Sequence, residues 1–199
     1  MKKLIVLISL LVVTVVGYSQ QLRSGSITLT PKIGINASGY YGDDDNSSFD
    51  YKPGLVVGAE GEYYIKDWLG ISAGLFYSQQ GASLNEDKIK TEYINVPVLC
   101  NFHLGNCFTL KAGLQEGLNI SSSTDAVPDY MSRGLEARDI DISMPIGMSF
   151  AFDKFVVDAR YSLSLNKALR GENHYYNLDN ADLHNSVFAL TLGYRFRLK

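Results

Sequence analysis

The chain has 199 residues, enough for one domain of ordinary size, and its formal net charge at pH 7 is −3. With 18 Lys and Arg against 21 Asp and Glu, the charge balance gives no reason to expect a nucleic-acid partner. The abundance of tyrosine (13), phenylalanine (9) and glycine (18) favours sheet over helix.

The N-terminal segment has the pattern of a secretory signal peptide. Two lysines follow Met1, an apolar run covers residues 4–16, and small residues come next. A retained anchor helix is the alternative, but the run is shorter than the ~20 residues that a spanning helix needs. We therefore predict a signal peptide over residues 1–19 and an exported domain over residues 20–199.

Eight later segments alternate apolar and polar residues, as a β-strand with two different faces does. In KFVVDARYSLSLN, for example, Phe155, Val157 and Leu163 alternate with Asp158 and Arg160. The segments cover, in chain order, residues 26–38, 52–65, 69–80, 91–103, 107–119, 140–152, 154–166 and 186–198.

The connections between these segments alternate in length. Those after the second, fourth and sixth segments are short, whereas the others are long and polar and cover residues 39–51, 81–90, 120–139 and 167–185. All tight turns then lie at one end of the sheet and all long loops at the other, as in outer-membrane barrels with short periplasmic turns. The sequence thus predicts an all-β fold, an eight-stranded antiparallel up-and-down transmembrane β-barrel with both termini periplasmic.

A soluble, lipocalin-like barrel would alternate in the same way but with its apolar face inward. The segments are longer than the strands of ordinary globular proteins, whose lengths have a mode of about 5–6 residues. Their polar face holds mainly Gly, Ser, Thr and Asn, which suits a crowded lumen better than a wall in water. Its charged residues have both signs, so we predict a structural ion-pair network that plugs the lumen, formed by Lys32, Glu60, Glu62, Lys111, Asp141, Asp158, Arg160 and Arg195.

Aromatic residues cluster near both ends of the segments, where two interfacial girdles are expected. Those near the turns are Tyr63, Trp68, Phe102, Phe108, Phe152 and Phe155, and those near the loops are Tyr40, Tyr41, Tyr51 and Tyr77. Prolines inside strands remove ladder hydrogen bonds. We therefore expect bulges or local unpairing at Pro31, Pro97 and Pro145.

No pattern points to catalysis, to a metal or to a cofactor. Cys100 occupies an outward-facing position of its segment and Cys107 an inward-facing one, which disfavours a disulfide between them in a tight hairpin. His184 with Ser186 or Ser164 could imitate the Ser/His pair of lipid-modifying barrels, but no spacing motif supports it. The acidic run at residues 43–46 lacks the ligand spacing of a calcium loop and is better explained as a solvated loop tip than as a cation site.

The stretch TEYINVPVLCNFHLG followed by FTLKAGLQEGLNIS, together with KFVVDARYSLSLNKA, resembles the outer-membrane β-barrel family of Bacteroidetes that includes PorT-type proteins, often labelled the porin family. The resemblance implies an eight-stranded outer-membrane barrel and no particular activity. The last residues resemble the signal that the barrel assembly machinery recognises for insertion, with Thr191, Gly193, Phe196 and Leu198 at its characteristic positions.

From these features we expect a non-catalytic barrel that acts through its loops, especially residues 120–139 and 167–185, because loops on rigid scaffolds usually carry function. The expected partners are outer-membrane lipid and lipopolysaccharide, the barrel assembly machinery, and an extracellular or secretion-system protein. Three alternatives stay open: a small passive porin, an accessory component of a protein secretion system, and a soluble periplasmic carrier.

Overall fold

A computed structural model of the chain describes residues 24–41, 50–84, 87–124, 136–137, 140–166, 169–170 and 184–199. Its strands are β1 (Ile27–Tyr41), β2 (Asp50–Lys66), β3 (Leu69–Leu84), β4 (Asp87–Leu104), β5 (Phe108–Thr124), β6 (Glu136–Ala137), β7 (Ile140–Phe152), β8 (Phe155–Ser164), β9 (Leu169–Arg170), β10 (His184–Tyr194) and β11 (Phe196–Arg197). Within these ranges no helix has the length and apolar character needed to cross a membrane. The predicted signal peptide and the acidic run at residues 43–46 lie outside the described residues.

The long strands form one closed antiparallel sheet. Each pairs with its neighbour in the chain, in the order β10-β8-β7-β5-β4-β3-β2-β1, and β10 pairs with β1 to close the ring. β11 continues the path of β10 beyond Arg195 and also pairs with β1. The predicted eight-stranded antiparallel barrel is therefore confirmed.

The distribution of apolar and charged side chains across the barrel wall is the reverse of that in a water-soluble protein. Its outer face exposes large apolar side chains, with Ile35 63% and Leu75 59% accessible. Its inner face buries charged ones, with Lys32, Glu60 and Asp158 only 4%, 3% and 2% accessible. Because buried charge is costly and a broad exposed apolar band is unfavourable in water, this arrangement suits a barrel surrounded by lipid, as the alternation and strand length predicted.

All four of the predicted long connections contain some paired backbone. Residues 81–84 of β3 pair with residues 87–90 of β4, so the prediction of a long polar connection over residues 81–90 is wrong. The alternation of apolar and polar residues is lost there because a strand that extends beyond the bilayer meets water on both faces. Such a strand is polar throughout, and its sequence cannot be distinguished from that of a polar loop. In addition, β6 pairs with β9, which joins parts of the two longest connections.

Pro31, Pro97 and Pro145 each interrupt the hydrogen-bonded ladder on one side only and leave the register unchanged. Pro53 also lies in a strand, and near it the β2–β3 register shifts between Tyr51 and Val56. Beside Pro97, the β3–β4 ladder lacks the pairs of Gly74 and Leu75, whereas the β4–β5 ladder continues through the proline. Equivalent gaps lie beside Pro31, between β1 and β10–β11, and beside Pro145, between β5 and β7. An antiparallel residue directs its N–H and C=O toward the same neighbour, so the missing donor affects one interface. The expected local unpairing is confirmed.

Aromatic side chains lie around the short-turn end of the outer face. Trp68 stacks on Phe102 with ring centroids 6.4 Å apart, and Phe155 meets Tyr194 edge to face at 5.3 Å. Trp68 and Phe155 are both more than half exposed. This band agrees with the aromatic girdle predicted at the short-turn end of the barrel. At the other end, Tyr77 is half-buried, and the side chains of Tyr40, Tyr41 and Tyr51 lie outside the described residues.

Candidate functional site

Five charged side chains meet in the middle of the lumen and form the central cluster, defined as Lys32, Glu60, Lys111, Asp158 and Arg160. They come from β1, β2, β5 and β8, and their side chains are 2–10% exposed. Alternation places all of them on the inner face of their strands. The cluster therefore joins walls of the barrel that are not neighbours in the sheet.

Each carboxylate of the central cluster contacts all three cations. The Glu60 oxygens lie 2.6 Å from Lys111 Nζ, 2.8 Å from Arg160 Nη2 and 3.1 Å from Lys32 Nζ. The Asp158 oxygens lie 2.9 Å from Lys111 Nζ, 3.0 Å from Lys32 Nζ and 3.5 Å from Arg160 Nη2. Such mutual contact compensates much of the cost of removing these groups from water.

Phe76 fills the lumen beside the central cluster. Its ring centroid lies 5.6 Å from Arg160 Cζ, within the range of a cation–π contact. The ring fits there because glycines occupy the neighbouring inner-face positions. A Cβ on Gly58 would come within 2.5 Å of the ring and one on Gly74 within 2.6 Å, so side chains at these positions would displace it.

A second polar group, the turn-end group, lies nearer the short turns and consists of Glu62, Tyr64, Asn101, His103 and Thr109. Glu62 Oε1 accepts a hydrogen bond from Asn101 Nδ2 (2.7 Å) and lies 2.8 Å from His103 Nε2, and its Oε2 accepts one from Tyr64 Oη (3.0 Å). His103 Nδ1 lies 2.9 Å from Thr109 Oγ1, and the Tyr64 ring stacks on the imidazole at 4.8 Å.

A hydroxyl, an imidazole and a carboxylate in series also occur in nucleophilic catalysis. Here, however, Thr109 is only 5% exposed and the Tyr64 ring covers the imidazole, which leaves no approach for a substrate. The turn-end group is therefore best described as a structural network. The sequence analysis does not predict this network. The available signal is that His103 lies two residues from Asn101 and therefore on the same, lumen-facing side of β4.

Substitution of Tyr64 with phenylalanine is expected to lower the free energy of unfolding by about 1.5–3 kcal/mol, because it removes a buried hydrogen bond to a carboxylate. Urea unfolding of the protein in lipid vesicles measures this change. The matched control is Tyr63→Phe on the outer face, where the side chain is 50% exposed. Equal stability of the two variants would contradict a stabilising role for the Tyr64–Glu62 hydrogen bond.

The other two residues of the predicted network lie apart from the central cluster. Asp141 lies at the loop end of β7 and accepts a hydrogen bond from the Ser164 hydroxyl. Arg195 occupies the break between β10 and β11, and its buried Nε has no hydrogen-bond partner. Five of the eight predicted residues thus meet in one cluster, and Glu62, Asp141 and Arg195 have separate environments.

The other candidate chemical groups do not form a reactive site in the described part of the chain. Cys100 and Cys107 are free thiols, as their opposite parity predicted. Ser186 Oγ donates to the Gly39 carbonyl oxygen at 3.2 Å. Among the described residues, no group of three or more His, Cys, Asp or Glu side chains is arranged to hold a metal ion. His174 and most of residues 120–139 and 167–185 lie outside the described ranges.

Known structures share this architecture. Neisserial surface protein A has a TM-score of 0.54 and 12% identity over 84% of this chain and 97% of its own. Ail, the attachment invasion locus protein of Yersinia pestis, has a TM-score of 0.51 and 18% identity over 87% of this chain and 99% of its own. At these identities the likeness concerns the fold alone.

Sequence comparison identifies the family. No curated protein sequence matches significantly. The model of the outer membrane protein beta-barrel domain matches residues 18–170, which is more than half of the chain. The closed ring, the apolar outer face and the buried charges agree with that match. The chain therefore belongs to the family of outer membrane protein beta-barrel domains.

Proposed function

We propose that this protein is a non-catalytic outer-membrane barrel with a closed lumen, which acts through the surface formed by its long connections in binding or in envelope structure. The observation that carries the proposal is the central cluster, which crosses the lumen and joins β1 and β2 to β5 and β8. A scaffold closed in this way leaves the loops as the variable surface available for recognition.

The size of the lumen supports this proposal. An eight-stranded barrel has an interior just wide enough for side chains to fill. A cavity beside the central cluster measures about 40 Å³. A passing solute would have to separate several ion pairs that are almost completely removed from solvent.

The proposed orientation places the short turns and both termini in the periplasm and the long connections outside, where they meet lipopolysaccharide. The apolar wall between them contacts lipid. In this proposal the barrel assembly machinery recognises the last strand, where Thr191 and Gly193 face the lumen and Phe196 and Leu198 are 48% and 64% exposed on the outside.

Reconstituted into liposomes, the wild-type protein is expected to give no steady ion conductance, because the central cluster blocks the path. The double variant Glu60→Ala/Lys111→Ala removes one cation and one carboxylate from the cluster, together with every contact that these two side chains make there, and is expected to conduct. Heat-modifiable gel mobility establishes that both proteins are folded barrels. Steady channels in the wild type would support the passive-porin alternative and contradict the closed lumen.

The likeness of the strand motifs to PorT-type proteins favours one second candidate, an accessory role in protein secretion with a secretion-system protein as partner. This role is compatible with a closed barrel, so conductance does not separate it from the first proposal. Deletion of the protein followed by assay of secreted proteins does. Loss of secretion would support the accessory role, and unchanged secretion would exclude it.

A further inference from the structure

We propose that the short-turn end of the barrel binds the headgroups of anionic phospholipids in the adjacent leaflet. The binding surface, here called the basic rim, consists of Lys66, Lys154, Arg195, Arg197 and Lys199. The inference rests on the proposed placement of the barrel in a membrane, but it is independent of what the long connections bind and of whether the lumen conducts.

The basic rim occupies one continuous sector of the barrel. Its residues come from the turn between β7 and β8, from β11 and the residues on either side of it, and from the end of β2. The Arg195 N–H donates to the Lys154 carbonyl oxygen at 2.6 Å, and the Ile27 N–H donates to the main-chain oxygen of Lys199 at 3.0 Å. β1 pairs with both β11 and β2 and so links Lys199 to the side of the barrel that holds Lys66. By contrast, the short turn between β4 and β5 contains no charged residue.

The basic rim carries an excess of positive charge. Outside the turn-end group, the acidic side chains at this end are Asp67 and Asp153, and the α-carboxylate of Lys199 reduces the excess to two positive charges. Within the described ranges, none of the five cations forms an ion pair with an Asp or Glu side chain. Arg195 is half-buried and the other four side chains are exposed, so an external anion can reach them.

The basic rim lies at the height where the barrel leaves the hydrocarbon. Lys66 Nζ is 5.7 Å from the centroid of the Trp68 ring, and this cation–π contact holds the ammonium beside the aromatic band of the outer face. Such a band marks the membrane interface. Lys199 follows Phe196 by three residues, which corresponds to roughly 8 Å along the axis of a tilted barrel. One headgroup layer is about 5–8 Å thick, so the cations and the phosphates share the same layer.

A phospholipid fits this surface better than a soluble acidic protein does, because the cations adjoin exposed apolar side chains. Lys154 precedes Phe155, which is 53% exposed. Arg197 lies between Phe196 and Leu198, which are 48% and 64% exposed. A ligand that contacts both kinds of side chain has an anionic head and an apolar tail. An acidic segment of a soluble protein would leave the apolar side chains uncovered.

The proposal is tested with the folded wild-type protein in a zwitterionic detergent, by native mass spectrometry during titration with lipid. Phosphatidylglycerol and phosphatidylcholine with identical acyl chains are compared by the dissociation constant of the first bound lipid. Each cation near an anionic headgroup contributes about fivefold, so phosphatidylglycerol is expected to bind more tightly by on the order of tenfold or more. The difference is expected to shrink as salt is added. Equal affinity for the two lipids would overturn the proposal.

Variants locate the effect at the short-turn end. The double variant Lys66→Gln/Lys154→Gln is expected to weaken phosphatidylglycerol binding on the order of tenfold and to leave phosphatidylcholine binding unchanged. The matched control is Lys88→Gln/Lys90→Gln, the same change of charge at the loop end of β4, which is expected to retain the preference. An equal loss in both double variants would contradict the proposal, because net charge rather than the basic rim would then determine binding.

A soluble competitor separates lipid from protein as the occupant. Polyglutamate presents carboxylates without an apolar tail and is expected not to displace bound phosphatidylglycerol. Displacement by polyglutamate would show that anionic charge alone suffices, and the basic rim would then be a docking surface for an acidic protein. This competition and the comparison of the two lipids use the wild-type barrel and do not depend on whether the variants fold.

Discussion

Replacement of Glu60 with glutamine is expected to lower the free energy of unfolding by about 3–5 kcal/mol, the range for removal of one partner of a buried ion pair. Glu60 is the closest acceptor of Lys111 and also contacts Lys32 and Arg160. In the variant, these three cations would share the single carboxylate of Asp158. Glutamine has nearly the same shape as glutamate, so the loss reports charge and not packing.

Urea unfolding in lipid vesicles measures this effect. The matched control is Glu116→Gln on β5, the same chemical change at a side chain exposed on the outer face. That variant is expected to be at least as stable as the wild type, because it removes a charge from the outer face. If both variants unfold at the same urea concentration, the central cluster does not stabilise the barrel.

Replacement of Ile146 with arginine is expected to lower the free energy of unfolding by about 2–4 kcal/mol, the cost of an arginine facing lipid near the middle of the bilayer. Ile146 lies halfway along β7 and is 51% exposed on the outer face. In water the same change at an exposed position would alter stability by less than about 0.5 kcal/mol. The experiment therefore tests which medium surrounds the wall.

Reversible unfolding in vesicles provides the measurement, and Ile146→Leu is the control that preserves apolar character at the same position. A second comparison places arginine at Phe155, next to the short turns, where the expected cost falls to about 0–1 kcal/mol because the side chain reaches the interface. A cost that does not depend on position along the strand would argue against a bilayer around the barrel.

Local alternation was sufficient to predict the ring of strands and the direction of its faces. Lipid on one side and a narrow lumen on the other impose a period of two over most of each strand, so Ile142, Ile146 and Leu163 could be separated from Asp158 and Arg160 without knowledge of the pairing. Where a strand extends beyond the bilayer this constraint disappears. The sequence therefore predicts a loop over residues 81–90, although residues 81–84 pair with residues 87–90.

The contacts between side chains inside the lumen could not be predicted from the sequence. The alternation shows which face of a strand a residue occupies, but not its position along the barrel axis. That position depends on the stagger of eight strands around the ring, which is a property of the closed sheet. Glu60 and Glu62 illustrate this limit: they share a face, yet one contacts three cations and the other binds His103, Asn101 and Tyr64. Parity and the proximity of His103 to its turn were the available signals for the second group.

The gaps beside Pro31, Pro97 and Pro145, which leave the register unchanged, have a mechanical consequence. They divide the circumference into panels of three, two and three strands, namely β1–β3, β4–β5 and β7, β8 with β10. Lys32 and Glu60 belong to the first panel, Lys111 to the second, and Asp158 and Arg160 to the third. Every pair of panels is bridged by at least one ion pair of the central cluster. These side chains therefore connect the panels through the lumen where the backbone hydrogen bonds between neighbouring strands are interrupted.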